Sequence, residues 1–217
     1  MLQNYTNNLQ IIDYKVLELI NIVLKANKLI LQALNCDEKN MEILEEATKD
    51  LKTASLQAKK IDEKIVKILA LYSPEARDLR QMISFLKITS ALLRASSNTK
   101  AYIKNFSVYY DILEELEIKD IAIKFQNSCV SCLENLEILS KADRKEAEGI
   151  FKKISVFEKQ NDKDYKILSK KMKTYNKTMD LDKLIKSLDV LKKSERITDR
   201  ALEIAYSLKY SKFGGGL

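Results

Sequence analysis

Apolar residues recur at steps of three and four through most of the chain, the spacing that lines one side of a helix with 3.6 residues per turn. The first run extends from about Tyr5 to Leu34 through Ile11, Ile12, Val16, Leu19, Ile20, Val23, Leu24 and Ile30, and predicts one long amphipathic helix. Asn35-Cys-Asp-Glu-Lys-Asn40 breaks the pattern, and a second helix is expected from about Met41 to Tyr72. Ser73-Pro74-Glu75 then reads as a start signal: a capping hydroxyl, proline at the first helical position and an early acid. A third helix follows to about Phe106. The same plan returns with helices from about Asp111 to Leu139, Asp143 to Tyr175 and Asp180 to Lys209, with Asp180 as an N-cap. The expected fold class is therefore all-α, two tandem three-helix bundles of long antiparallel helices, six helices in total. The units are read as residues 1–108 and 109–212, with a frayed tail over 213–217.

The duplication is visible in the residues. Phe85–Ser97 and Ser187–Asp199 share a register of apolar positions around Arg94 and Arg196, which lie 102 residues apart. The two copies differ in chemistry. Glu195 and Asp199 flank the second arginine four residues apart, on one helical face and close enough to share a cation, where the first copy has Leu93 and Ser97. Spacing alone also allows a solvated acidic strip paired with Lys192, Arg196 or Arg200. Helix five offers a matching pair in Glu158 and Asp162.

Composition narrows the picture further. The 217 residues include one proline, Pro74, and four glycines, of which only Gly149 precedes the tail. Strands need turn residues at short intervals, so so few turn formers favour helix throughout. No run of 18 uncharged apolar residues occurs: Val16–Leu24 is interrupted by Glu18 and Asn21, so no membrane span is expected. Cys36, Cys129 and Cys132 are an odd number with no export signal, and read as reduced thiols of a cytoplasmic protein. Cys129-Val-Ser-Cys132 has neither a second cysteine pair nor any histidine to complete a zinc site.

The formal charge of +7 is spread among interleaved acids, as in Asp62-Glu-Lys64, and no basic run alternates with aromatics, so nucleic acid is not expected as a partner. The densest basic group, Lys166, Lys170, Lys171, Lys173 and Lys177, reads as a solvated helix end or a contact for acidic lipid head groups or an acidic partner. Tyr102, Phe106, Tyr109 and Tyr110 near the junction of the two units suggest an apolar surface for a homodimer or a partner. Without histidine, phosphate-cradling glycine loops or a base for the cysteines, no catalytic group is legible, and the chain reads as non-enzymatic.

Ala70-Leu-Tyr-Ser-Pro-Glu-Ala-Arg-Asp-Leu-Arg80, followed by Leu86-Lys-Ile88, resembles the signature of the PhoU family of phosphate-uptake regulators. Glu195-Arg-Ile-Thr-Asp199 resembles that family's glutamate-arginine-isoleucine-glycine-aspartate motif, with Thr198 in place of glycine. The resemblance implies two tandem three-helix bundles with multinuclear metal sites built from acid-x-x-x-aspartate motifs. It also implies a non-enzymatic regulator acting by contact with a phosphate ABC transporter ATPase, a sensor histidine kinase or both, peripheral to the membrane at most. Carried onto this chain, it makes Glu158, Asp162, Glu195 and Asp199 the metal ligands. An oxygen-only set suits iron, manganese, magnesium or calcium. Without a cation, carboxylates so close together would repel or take up protons. In the first repeat the equivalent positions fall on Leu93 and Ser97 and, for the middle helix, Leu51 and Ser55; Asp62 and Asp78 are too scattered to replace them. The first bundle is therefore expected to have lost its metal cluster, as in a divergent member with a different partner. A helical metal-binding scaffold serving another transporter or kinase, or a carboxylate-bridged metal enzyme, are the other readings; the latter usually needs a Glu-x-x-His motif, which is absent.

Overall fold

The computed structural model describes residues 2–174 and 180–214, so Tyr175, Lys177 and Gly215–Leu217 lie outside the described residues. Helix occupies 92% of the described chain, and none of it is strand. Among the described residues there are seven helices: α1 Leu2–Asn35, α2 Glu42–Tyr72, α3 Ala76–Lys104, α4 Phe106–Glu115, α5 Lys119–Lys141, α6 Arg144–Thr174 and α7 Leu181–Phe213. Six were expected. The extra one, α4, exists because the backbone breaks at Asn105 and turns again at Glu117, whose φ of 53° is left-handed. Its face of Phe106, Tyr109, Tyr110, Ile112 and Leu113 is buried.

That burial corrects one expectation. Tyr102, Phe106 and Tyr109 are no more than 1% exposed and Tyr110 is 4%, so this aromatic group is core and presents no surface to a dimer or partner. Tyr102 and Tyr109 meet edge to face with ring centroids 5.7 Å apart, and Tyr110 donates to the carbonyl of Cys36 at 2.9 Å, tying α4 to the end of α1.

A second correction concerns the start of α3. Ser73 is the left-handed C-cap of α2, its N–H bonded to the Leu69 carbonyl, and the N-cap of α3 is Glu75, without a side-chain cap. Proline thus sits in a three-residue turn, not inside the helix, because the chain must first reverse. The other capping reading holds: Asp180 accepts from the Asp182 N–H at 2.9 Å. Asp143 and Glu146 form a reciprocal capping box at the start of α6.

Helices α1, α2 and α3 pack together, as do α5, α6 and α7, and the most extensive pairing in the molecule is α3 with α7. α3 and α7 run antiparallel, since Arg80 at the start of one lies over the Tyr210 ring at the end of the other. α1 and α5 are antiparallel too, with Lys119 donating to the Cys36 carbonyl at 2.8 Å and Lys28 paired with Glu134. The two three-helix units therefore lie side by side in opposite directions.

The core divides across the helices, not between the units. One apolar cluster takes the first part of α1 and α3 with the second part of α5 and α7; the other takes the opposite parts, together with α4. Between them lies a buried polar layer. Asn27 donates to Thr99 Oγ1 at 3.1 Å, Gln126 donates to Asn27 Oδ1 at 3.1 Å, and Ser194 donates to Gln126 Oε1 at 3.0 Å, linking α1, α3, α5 and α7. Asn161 extends the layer to α6 by donating to the Phe125 carbonyl at 3.1 Å.

Candidate metal centre

Two helices carry the carboxylates. On α6, Ile154, Asn161 and Asp164 turn inward, which leaves Glu158 and Asp162 at the edge facing α7. On α7, Ser194, Ile197, Thr198 and Ala201 are buried, and Glu195 and Asp199 occupy the adjoining edge. Small buried residues at 194, 198 and 201 allow α7 to lie close to its neighbours, so the acids are held only partly exposed.

Glu158, Asp162 and Asp199 each bring one carboxylate oxygen within 4.8 Å of the others, and no further such group of acids occurs among the described residues. Glu195 stands beside this trio but is turned aside. Its Oε1 accepts from Lys192 Nζ at 2.6 Å, its side chain is only 12% exposed, and its Oε2 is buried with no hydrogen-bond partner. Three of the four acids singled out by spacing are thus brought together, and the fourth is held next to them by a lysine that itself lies over the Tyr165 ring.

The electrostatics are those of crowded, partly buried acids. Burial, followed by the neighbouring charges of Asp162 and Asp199, raises the Glu158 carboxyl above its ordinary range. Burial, then Glu195 and Asp162, does the same to Asp199, offset in part by Lys192 and Arg200. Raised carboxyls mean mutual repulsion that a cation would relieve. The oxygen-only donor set and the unpartnered Glu195 oxygen both suit a hard cation.

Helix register explains why the first unit has no counterpart. Buried Leu44, Leu51, Ala58, Ile61 and Ile65 of α2 match buried Ala147, Ile154, Asn161, Asp164 and Leu168 of α6 at a constant offset of 103 residues. Glu158 and Asp162 therefore correspond to Ser55 and Lys59, not to Leu51 and Ser55; Leu51 is fully buried and could not serve. Of the remaining acids, Asp62 accepts from Thr89 at 2.7 Å and Asp78 from the Tyr5 hydroxyl at 2.8 Å. Arg94 and Arg196, the arginines common to both copies, are both exposed and form no hydrogen bond or ion pair with a described residue. Their shared position reflects helix register, not a common contact.

Beside Asp199 the α3–α7 seam opens into a groove of about 720 Å³, lined also by Ser84, Lys87, Leu202, Glu203, Tyr206, Ser207 and Tyr210. Sequence reasoning missed this groove, because it depends on which edges of two helices meet. The tyrosines four apart on α7, Tyr206 exposed and Tyr210 half-buried, were the available signal. The two cysteines of α5 belong to the core. Cys129 and Cys132 are fully buried on α5, and burial raises both thiols, that of Cys129 to about 12.

Fold and site together define an all-helical protein of paired three-helix units with one carboxylate cluster on the second. No family profile matches the chain. Structural comparison finds the phosphate transport system regulatory protein PhoU from Streptococcus pneumoniae, with a TM-score of 0.77 and 22% identity over 98% of this chain and 99% of that one. PhoU from Pseudomonas aeruginosa aligns with a TM-score of 0.68 and 21% identity, over 99% of this chain and 98% of that one. In sequence, a phosphate-specific transport system accessory protein PhoU homolog from Aquifex aeolicus (strain VF5) is 28% identical over 127 residues, 58% of this chain; the chain spans about half that relative's length, 55%. The resemblance to PhoU read from the sequence holds, and the fold is that of PhoU proteins.

Proposed function

We propose that the chain is a divergent member of the PhoU family, a non-enzymatic regulator of phosphate uptake and phosphate-starvation signalling. The observation that carries the reading is PhoU-like structure along nearly the whole chain together with the carboxylate trio on α6 and α7. In this reading the chain is a duplicated three-helix unit, 1–108 and 109–212. It is cytoplasmic, and its partner is a phosphate ABC transporter ATPase, a sensor histidine kinase or both. Among the described residues no helix is long and apolar enough to cross a membrane, which suits a peripheral role.

Glu158, Asp162 and Asp199 would hold the metal, with Glu195 joining if Lys192 releases it. Iron, manganese, magnesium or calcium fit the donors. A bound cation would supply a charge that neutralises the cluster and fastens α6 to α7. The chain's own residues hold the acids near one another and shield them from bulk water.

The test is metal content after purification without chelator, followed by titration with each cation alone. The wild type should bind, and Asp162→Asn with Asp199→Asn should bind none. The same double substitution should raise the melting temperature in chelator, because it removes repulsion, and abolish the metal-dependent increase, because a ligand stabilises only the state that binds it. Unchanged metal content in the double variant would place the metal elsewhere. Co-purification then separates the partner readings, since a PhoU role requires a phosphate transporter ATPase or sensor kinase. The loss of acids at Ser55, Lys59, Leu93 and Ser97 favours one alternative, a paralogue serving another transporter or kinase, and recovery of such a partner would establish it.

A further inference from the structure

We infer that the corner formed by the last turns of α6 and the first turns of α7 is a docking surface for an anionic lipid bilayer. Lys163, Lys166, Lys170, Lys171 and Lys173 on α6 and Lys183 on α7 are all exposed, and none forms an ion pair with a described residue. The acids nearby are already engaged. Asp164 is buried and accepts from Gln160, Asp180 caps α7, and Asp182 pairs with Lys186 at 2.5 Å. The corner therefore presents an uncompensated positive field.

Apolar side chains stand inside that field. Leu181 is 62% exposed, Ile185 57% and Ile167 47%, while Leu168, Met172 and Leu184 beneath them belong to the same core cluster and fix both helix ends. Basic residues surrounding exposed aliphatics match the two layers of a membrane interface, anionic head groups and the acyl boundary. A nucleic acid offers nothing to the aliphatics. The basic residues are all lysines, whose ammonium groups on flexible stems respond to a diffuse field more than to the forked geometry that arginine reads. Acids resume at Glu115 and Glu117 around the α4–α5 turn, so the charge asymmetry also sets which corner faces the bilayer. This surface begins at Lys163, next to Asp162 of the carboxylate cluster, and runs away from it to the end of α6; it does not depend on the metal reading.

The full chain should co-sediment with vesicles of 70% phosphatidylcholine and 30% phosphatidylglycerol at low salt, and not with pure phosphatidylcholine vesicles. Lys166→Gln, Lys170→Gln and Lys173→Gln together should weaken binding about 100-fold, at roughly fivefold per lysine. Ile185→Ser should weaken it with the charge intact. The comparison variant carries Lys60→Gln, Lys64→Gln and Lys67→Gln at the opposite end of the molecule and should bind like wild type. Lys64 is half-buried and the other positions are exposed, and circular dichroism on each variant checks that it is folded. The proposal is overturned if the wild type ignores anionic vesicles, if the α6 variant binds as before, or if both lysine sets weaken binding equally. It is also overturned if the corner captures RNA or an acidic protein while vesicles remain unbound.

Discussion

At the scale of single residues, burial outweighs chemical identity. Cys129-Val-Ser-Cys132 has the spacing of a metal half-site, yet Cys129 Sγ lies 3.8 Å from Asn27 Oδ1 and Cys132 Sγ 3.7 Å from the Ile154 carbonyl, both inside a packed core. Desolvation disfavours the thiolate there, so neither is a nucleophile. A consequence can be measured. The Cys129 thiol has its ordinary value of 9.0 in the unfolded chain and about 12 when folded, so the folded state keeps a proton that the unfolded state gives up. The associated stability is complete below about pH 9 and is lost as the pH rises towards 12. Thermal melts of wild type and Cys129→Ala between pH 8 and 11 should converge as the pH rises. A constant gap across that range would show that the thiol does not titrate as its burial requires.

At the scale of the helix, backbone conformation locates weak points that the apolar pattern hides. Gly149 lies in α6, and a Cβ there would meet no other atom within 4 Å. Glycine inside a helix costs about 1 kcal/mol relative to alanine, so Gly149→Ala should stabilise the protein by about that amount in urea denaturation. Ser73 is the reverse case. Its φ of 42° and ψ of 56° lie in the left-handed region where glycine meets no steric penalty, and Ser73→Gly should be neutral or stabilising despite removing a side chain. If Ser73→Gly destabilised by more than 1 kcal/mol, its hydroxyl would have a role that the backbone does not reveal. The same reasoning explains why the Ser-Pro-Glu segment is a turn signal that marks the boundary correctly while the cap itself falls two residues later.

At the scale of the whole molecule, the two units share their core. Each apolar cluster contains residues from both, and Asn27, Thr99, Gln126 and Ser194 join four helices through the middle. Unfolding should therefore be a single cooperative transition, seen alike by circular dichroism and by tyrosine fluorescence. Gln126→Leu would strip Asn27 of a donor and Ser194 of an acceptor in a site closed to water. A loss of about 1–3 kcal/mol is expected, the usual cost of orphaned buried polar groups. Two separate transitions in the wild type would mean that the units fold independently after all.

Periodicity and the scarcity of turn formers were enough for the long helices, their order and the duplication, though not for α4, because a 3.6-residue pattern reports which side of each helix must leave water. Glu158, Asp162, Glu195 and Asp199 were legible as pairs, since acids four apart share a face, but only the resemblance to PhoU singled them out as ligands. What the pattern could not supply was the relation between helices. Only packing decided that Glu195 turns to Lys192 while the other three acids converge, and that Tyr102, Phe106, Tyr109 and Tyr110 form core instead of surface. Packing likewise decided that Ser55 and Lys59, not Leu51 and Ser55, stand where the second unit has its acids. One-dimensional spacing fixes the angle of a side chain about its own helix axis; its depth and its neighbours depend on the rotation and offset of the helices beside it, which are settled jointly by the whole core.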